Sequence, residues 1–425
     1  MHSINATIAV AIFVVVYGVI ISEKLHRAVV SLAGAVIIIA FGILTQAEAI
    51  KGIDFNTLGL MLGMMIIVII TRRSGVFEYI AIKAAKVAKG DPVKILILLS
   101  VITAVLSAFM GSVTVALLIV PVTFSITDRL NVNPGGFLLC EIISSNIGGT
   151  CTPVGDPPNM LIGSATHLQF MDFVANLTPV ILAILAVTIV LILLIYRSKL
   201  KVNEEDKMKV MELNEFESIK DWLILKKSLA VLALTIAGFF FQQALHLQTA
   251  TIALVGAVLL MVITKEEPED VLLSVEWPTL FFFIGLFILV ESLVKVGVIN
   301  YIAQESLALT QGSFPLTLLL ILWMSGILSA FVDNIPFVTA MIPLIKDIGA
   351  LTGMPLDPLW WSLALGTCLG GNGTLIGASA NVVVAGISEK QGYSITFMRY
   401  FKVGFPLMLV SLLICTVYVY FKYLC

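Results

Sequence analysis

Residues 144–160 read SSNIGGTCTPVGDPPNM, inside a stretch otherwise apolar enough to cross a membrane. Helical sequence runs in from Phe137 and out to Ala165. Between them Gly148, Gly149, Pro153, Gly155, Pro157 and Pro158 are too many breakers for one continuous helix. Ser144, Ser145, Asn146, Thr150, Thr152, Asp156 and Asn159 crowd the same gap. Unwound backbone at membrane depth survives only where it is buried in protein or lines a wet cavity. A broken helix there sets half-helix ends and bare carbonyls at the midplane, a position suited to ions. The competing reading is a polar loop outside the bilayer.

A second copy argues against that loop. GGNGTLIGASAN (Gly370–Asn381) aligns without gaps on GGTCTPVGDPPN (Gly148–Asn159), an offset of 222 residues. The same offset carries LSAFMGSVTVALLIVP (Leu106–Pro121) onto LSAFVDNIPFVTAMIP (Leu328–Pro343), and Asp54 and Thr57 onto Glu276 and Thr279. One register held over that distance is a duplication.

Composition sets the class. The 425 residues are 59% hydrophobic and 12% charged, which excludes a soluble globular domain and indicates an all-α polytopic membrane protein. A net charge of −2 gives nucleic acid no basic footprint. The bilayer is the expected environment. Cys140, Cys151, Cys368, Cys415 and Cys425 show neither CxxC nor zinc spacing and read as reduced, mostly structural thiols. Met1 stands close to the first apolar run without a basic n-region or cleavage site, so that run is expected to be retained.

Spanning runs fall at about 4–22, 28–44 and 55–71, followed by an amphipathic interfacial segment, Gly75–Asp91. Two apolar arms (about 92–127) hinge at Met110-Gly111-Ser112 and form either two spans or one re-entrant hairpin. The broken helix (about 136–166) and a span (about 173–196) complete a first repeat, residues 1–196. Residues 197–226 read as a charged cytoplasmic linker without apolar periodicity. The second repeat, 227–425, has spans near 227–246, 249–264 and 277–294, a hairpin at about 314–349, a broken helix at 357–389 and a last span at 397–422. Short arms and polar tips favour re-entrant hairpins. Each repeat then has five spans, and an odd number makes the two copies inverted. Sorted on that topology, 21 of the 25 Lys and Arg fall on one face, leaving only Lys51, Lys295, Lys346 and Lys422 on the other. The crowded face is cytoplasmic by the positive-inside rule, with both termini outside and the cytoplasmic membrane as the expected location.

Inverted hairpins would bring Gly111–Thr114 and Asp333–Pro336 toward the two breaks. Asp333 is the sharpest candidate: a carboxylate at such a tip either holds Na⁺ with Asn334 or takes and releases a proton. The plainer alternative is a helix N-cap, a role that suits Asp156 before Pro157 and Pro158 as well. Ser112, Thr114, Asn146, Thr150, Thr152, Asn159, Asn372, Thr374, Ser379 and Asn381 supply neutral oxygens for a hard cation or a small oxyanion, or hydrogen-bond the broken backbone to itself. Na⁺ could sit at Asp333, Asn334 and Asn372, and again at Ser112 and Asn146. Glu141, one turn before Ser144, faces either the cavity or a neighbouring helix. Cys151 and Cys368 could meet a soft species such as As(III), or pack where helices approach closely. Arg and Lys are absent from this polar core, which points to a cation, a neutral oxyacid, or an anion carried with Na⁺.

At SSNIGGTCTPVGDPPNMLIGSA and VDNIPFVTAMIPL the chain resembles the arsenite permease/sodium–proton antiporter (ArsB/NhaD) family of the ion-transporter superfamily, over essentially its whole length. That resemblance implies a scaffold with a mobile transport domain, a homodimer, and elevator motion. The related divalent-anion/sodium symporters carry Ser-Asn-Thr at both hairpin tips. By that pattern residues 111–113 and 333–335 would flank two cation sites. Many relatives have an Asp-Asn pair in the first hairpin, where this chain has Gly111 and Ser112, so the first tip lacks its carboxylate.

The sequence therefore predicts an ion-coupled secondary transporter, driven by Na⁺ or H⁺ and needing no other cofactor. Na⁺/H⁺ exchange and export of a small inorganic oxyacid such as arsenite lead as cargoes. Sodium-coupled carboxylate transport and a passive channel on the same scaffold are the alternatives. The chain holds no GxxxxGK[ST] loop, which argues against a built-in ATPase and leaves an external ATPase subunit open as a partner. It also lacks HExxH, GxSxG or a Cys/His constellation, the marks of a membrane-embedded enzyme.

Overall fold

A computed structural model describes residues 4–22, 24–166 and 168–424; Cys425 and the first residues, Met1 included, lie outside them. The first half builds α1 (Ile4–Ile21), α2 (Arg27–Ala40), α3 (Gln46–Gly52), α4 (Phe55–Arg73) and α5 (Val76–Val87). Then come the hairpin arms α6 (Pro92–Met110) and α7 (Ser112–Arg129), the split helix α8 (Gly135–Gly149) and α9 (Pro157–Ala165), and α10 (Phe170–Tyr196). After α11 (Glu204–Met211) the order recurs: α12 (Trp222–Phe240), a short α13 (Gln242–Leu245), α14 (Thr249–Thr264), α15 (Pro268–Leu273), α16 (Trp277–Lys295) and α17 (Val298–Leu309). The second hairpin is α18 (Phe314–Phe331) with α19 (Asn334–Thr352), the second split helix is α20 (Asp357–Gly370) with α21 (Ser379–Lys390), and α22 (Phe397–Tyr423) ends the chain. Among the described residues ten helices are long and apolar enough to cross a membrane, and the chain is a multi-pass membrane protein.

The 222-residue register is visible in the helix starts. From α2 through α9, every first-half helix begins 222 residues before its partner in α14 to α21. The start signals are local. Asp91 caps α6 with Pro92 behind it, and Asp54 caps α4.

Two packed units result. In one, α6 lies along α8 and α18 along α20, while α7 meets α21 and α9 meets α19 across the repeats. Glycine permits that approach. A Cβ on Gly148 would stand 2.1 Å from the Ala104 carbonyl oxygen, and one on Gly370 2.5 Å from that of Gly326. In the other unit, α4 packs on α14 and α16 on α2. Pairs along the α2–α16 seam advance together (Arg27 at Phe282, Ser31 at Gly285, Gly34 at Leu289), so those helices run parallel and start on the same side.

Two expectations change. The segment after α10 is folded onto the protein: α11 packs on α5 and α7, and Lys86 Nζ reaches Glu215 at 2.6 Å and the Leu213 carbonyl at 3.0 Å. The Glu215 ion pairs and the buried side chains of Val210 and Ile219 hold it down, and α12 already begins at Trp222, capped by Asp221. Nor are the hairpin arms short. At about 1.5 Å per residue, α6 and α7 each approach 28 Å. The tips meet the breaks through contacts: Thr152 Oγ1 donates to the Ala108 carbonyl and Thr374 Oγ1 to that of Ala330.

Candidate functional site

Both breaks are braced by their own side chains. Thr152 Oγ1 also accepts the Val154 and Gly155 N–H groups, at 3.2 and 3.1 Å. Asn159 Nδ2 donates to the carbonyls of Thr150 and Thr152, and Asn381 Nδ2 to those of Gly371 and Thr374. Thr150 Oγ1 bonds back to the Asn146 carbonyl. Thr150, Thr152, Asn159, Thr374 and Asn381, all candidates for ligands, thus spend much of their bonding capacity on the unwound backbone. Orphaned carbonyls buried at this depth leave them little choice.

The two breaks are joined by Asn146. Its Nδ2 donates to Asn372 Oδ1 and Asn381 Oδ1, both at 2.9 Å, uniting groups that the sequence reading assigned to separate Na⁺ sites. The residue in its register in the second half is Cys368, whose thiol makes the weaker approach to Asn159 Oδ1, 3.6 Å. That contact gives Cys368 a packing and bracing role. Asn146 Oδ1, Asn372 Nδ2, Asp156 Oδ2 and the Ser144 hydroxyl are buried there without a protein partner. Cys151 lies half-buried beside the first break. Glu141 faces a neighbouring helix: Thr123 Oγ1 of α7 donates to it at 2.5 Å.

The hairpin–break unit itself contributes one carboxylate at each tip, from different elements. At the first tip, Asp156 from the break lies against Ser112 and Cys368. It stands just before α9 yet makes no capping bond, so the N-cap reading fails there. The carboxylate missing from the hairpin is thus supplied by the break. Gly111 itself has φ +79°, where a carboxylate-bearing residue is strained. At the second tip Asp333 does two jobs: Oδ1 caps the Ile335 N–H at 3.1 Å, while Oδ2 turns to the break and to α2. Asn334 is buried behind it at the start of α19.

A polar core free of Arg and Lys is overturned here. Arg27 Nη1 lies 2.7 Å from Ser379 Oγ and 3.3 Å from Asp333 Oδ2, with its guanidinium over the Phe282 ring. Sequence reading had put Arg27 among the face charges because it opens a helix. The side chain is long enough to reach inward from that end, and no local pattern announces its partner. Arg27, Asp333 and Ser379 line a cavity of about 290 Å³ with Tyr17, His26 and Val382. A smaller one, about 80 Å³, joins Gly111, Ser112 and the half-buried Thr114 to Glu276 and Thr279 at the start of α16. Since α2 and α16 start on one side, both tips face that side. On the opposite side the end of α9 is tied to the start of α4, Ser164 Oγ donating to Asp54 Oδ1 at 2.8 Å. The register partner of Ser164, Gly386, has only open space where a Cβ would stand. The hairpin–break unit thus sits off-centre on its scaffold.

Comparison with known proteins follows the same lines. A family model described as the citrate transporter family, CitMHS, matches residues 17–366. An uncharacterized transporter of Mycobacterium bovis is 42% identical over 424 residues, covering 98% of this chain and 99% of that protein. The human P protein is 34% identical over 497 residues, covering 97% of this chain and 59% of its own. Among solved structures, the YdaH transporter of Alcanivorax borkumensis, described as having an unusual topology, superposes with a TM-score of 0.59 at 14% identity, covering 88% of this chain and 87% of its own. That likeness concerns the fold alone.

Proposed function

The chain belongs to the CitMHS citrate transporter family and is a secondary transporter of that type, and from that premise we propose that it carries a small anion, a carboxylate or an inorganic oxyanion such as arsenite, together with Na⁺ or H⁺. The observation behind this reading is the meeting of Arg27, Asp333 and Ser379 in one cavity between scaffold and hairpin–break unit. A guanidinium recognises carboxylate and oxyanion geometry through its planar donors. A carboxylate beside it suits the coupling cation. With Arg27 in the site, the argument against anions drawn from an uncharged core disappears.

Elevator-type alternating access in the cytoplasmic membrane completes the proposal. Support comes from the repeat register, the interlocked hairpin–break unit and its off-centre seat, since inverted copies let each half take the other's conformation. By the positive-inside bias we take the side where α2 and α16 start as cytoplasmic, which would make the present seat the inward-facing one. A second reading, Na⁺/H⁺ exchange without an anion, is favoured by the carboxylate that the hairpin–break unit itself contributes at each tip, Asp156 and Asp333.

The test is flux into proteoliposomes. Under an imposed Na⁺ or proton gradient, radiolabelled citrate, succinate or arsenite should accumulate, and Asp333→Asn should abolish the gradient-driven part while leaving assembly intact. Cation exchange with no anion flux would select the second reading. Flux indifferent to both gradients would mean a channel and defeat the proposal.

A further inference from the structure

We propose that Arg27 is a tethered substitute for the coupling cation: in the unloaded protein its guanidinium takes the place beside Asp333 and Ser379 that a monovalent cation takes on loading. This rests on the reading of Asp333 as a coupling-ion ligand and adds what occupies the site between loads.

The geometry is that of a cation among oxygen ligands. Arg27 Nη1 lies within hydrogen-bonding reach of Ser379 Oγ and Asp333 Oδ2, and those two oxygens are 3.4 Å apart. Arg27 belongs to α2 and is steadied by Phe282 of α16, whereas Asp333 and Ser379 belong to the hairpin–break unit. The pair therefore bridges the boundary that must slip during transport. A guanidinium does not lose its charge at any working pH, so it leaves Asp333 only through competition or movement. Tyr17 of α1, His26 of the α1–α2 turn and Asp156 from the first break are the other titratable groups facing this carboxylate.

The repeat register shows what Asp333 would meet on the other side. Thr249 holds the position of Arg27 in the second half and would face Gly111 of tip 1, so no guanidinium waits on that side. Tip 1 now lies by Glu276 and Thr279, whose register partners are Asp54 and Thr57. If the halves exchange conformations, Asp333 moves from a fixed cation to a second carboxylate. A mobile cation is thus repelled on the α2 side and attracted on the opposite one. Loading and discharge become biased toward opposite faces without any change in the ligands that travel.

The experiment uses the purified protein in detergent, with thermal unfolding followed against Na⁺. Arg27→Gln should lower the half-saturating Na⁺ at least tenfold, Arg27→Lys should restore near-native values, and Asp333→Asn should flatten the response. Phe282→Leu, which frees the guanidinium without removing it, should shift the curve the same way by less. A wild-type protein whose unfolding is indifferent to Na⁺ would overturn the proposal. Equal titrations for wild type and Arg27→Gln, with Asp333→Asn flat, would overturn the role of Arg27 and leave the site standing. An undiminished cation response in Asp333→Asn would remove the site itself.

Discussion

At the scale of single residues, the breaks are held by side chains that answer their own backbone, and by glycines where helices touch. Gly148 is the clearest case: its helix lies so close to α6 that a methyl group would enter the Ala104 carbonyl. Gly148→Ala should therefore cost more than the roughly 1–3 kcal/mol of ordinary overpacking, since backbone rather than a flexible side chain must move. The control is Gly386→Ala, which meets nothing within 4 Å and gains about 0.5–1 kcal/mol of helix propensity. Thermal unfolding in detergent should show a steep loss for the first and no loss for the second. Similar midpoints would contradict the packing drawn here. Gly148 was legible in the sequence as a breaker; its second role, letting α6 approach, needed the neighbouring helix.

At the scale of elements, the split helices divide one span into pieces too short to cross alone. The 15 residues of α8 extend about 22 Å and the 9 of α9 about 13 Å, against a hydrocarbon core near 30 Å. This much follows from proline and glycine placement, and both breaks could be read from the chain. The segment between repeats could not, because α11 and its neighbours are charged and hold through ion pairs. Lys86 keeps the Glu215 carboxyl below the usual carboxylate range. A carboxyl lowered by folding stabilises the folded form above its ordinary pKa, about 4.3, and loses that contribution as pH falls through its lowered value. Proteolysis of residues 197–221 should therefore stay slow at neutral pH and accelerate only in acid. Glu215→Gln should give faster cleavage already at pH 7, and cleavage equally slow in both proteins would deny the anchor.

For the whole molecule, the proposed elevator motion would break one set of contacts and make another. Asn56 Nδ2 donates to Ser164 Oγ at 3.0 Å, a contact that the proposed motion would break. Their register partners, Pro278 and Gly386, should come together in the opposite one. In a background with the native cysteines replaced, the pair Asn56→Cys/Ser164→Cys should cross-link and halt turnover until reduced. The pair Pro278→Cys/Gly386→Cys should cross-link only in a fraction that increases during active transport. Cross-linking of both pairs in a static population, or full turnover with the first pair oxidised, would rule out movement of this unit as a body.

The sequence by itself determined the membrane class, the two unwound segments, and the register that ties one half to the other. Those properties are carried linearly, by apolar runs, helix breakers and duplicated motifs. Tertiary structure decided who faces whom: Arg27 with Asp333, 306 residues away; Asn146 with Asn372, 226 away; Asp156 against Ser112. Such pairings depend on how the two copies interlock and on where the hairpin–break unit sits against its scaffold. A guanidinium at a helix start looks the same in sequence whether it points to water or into the site, and only the packed neighbours choose.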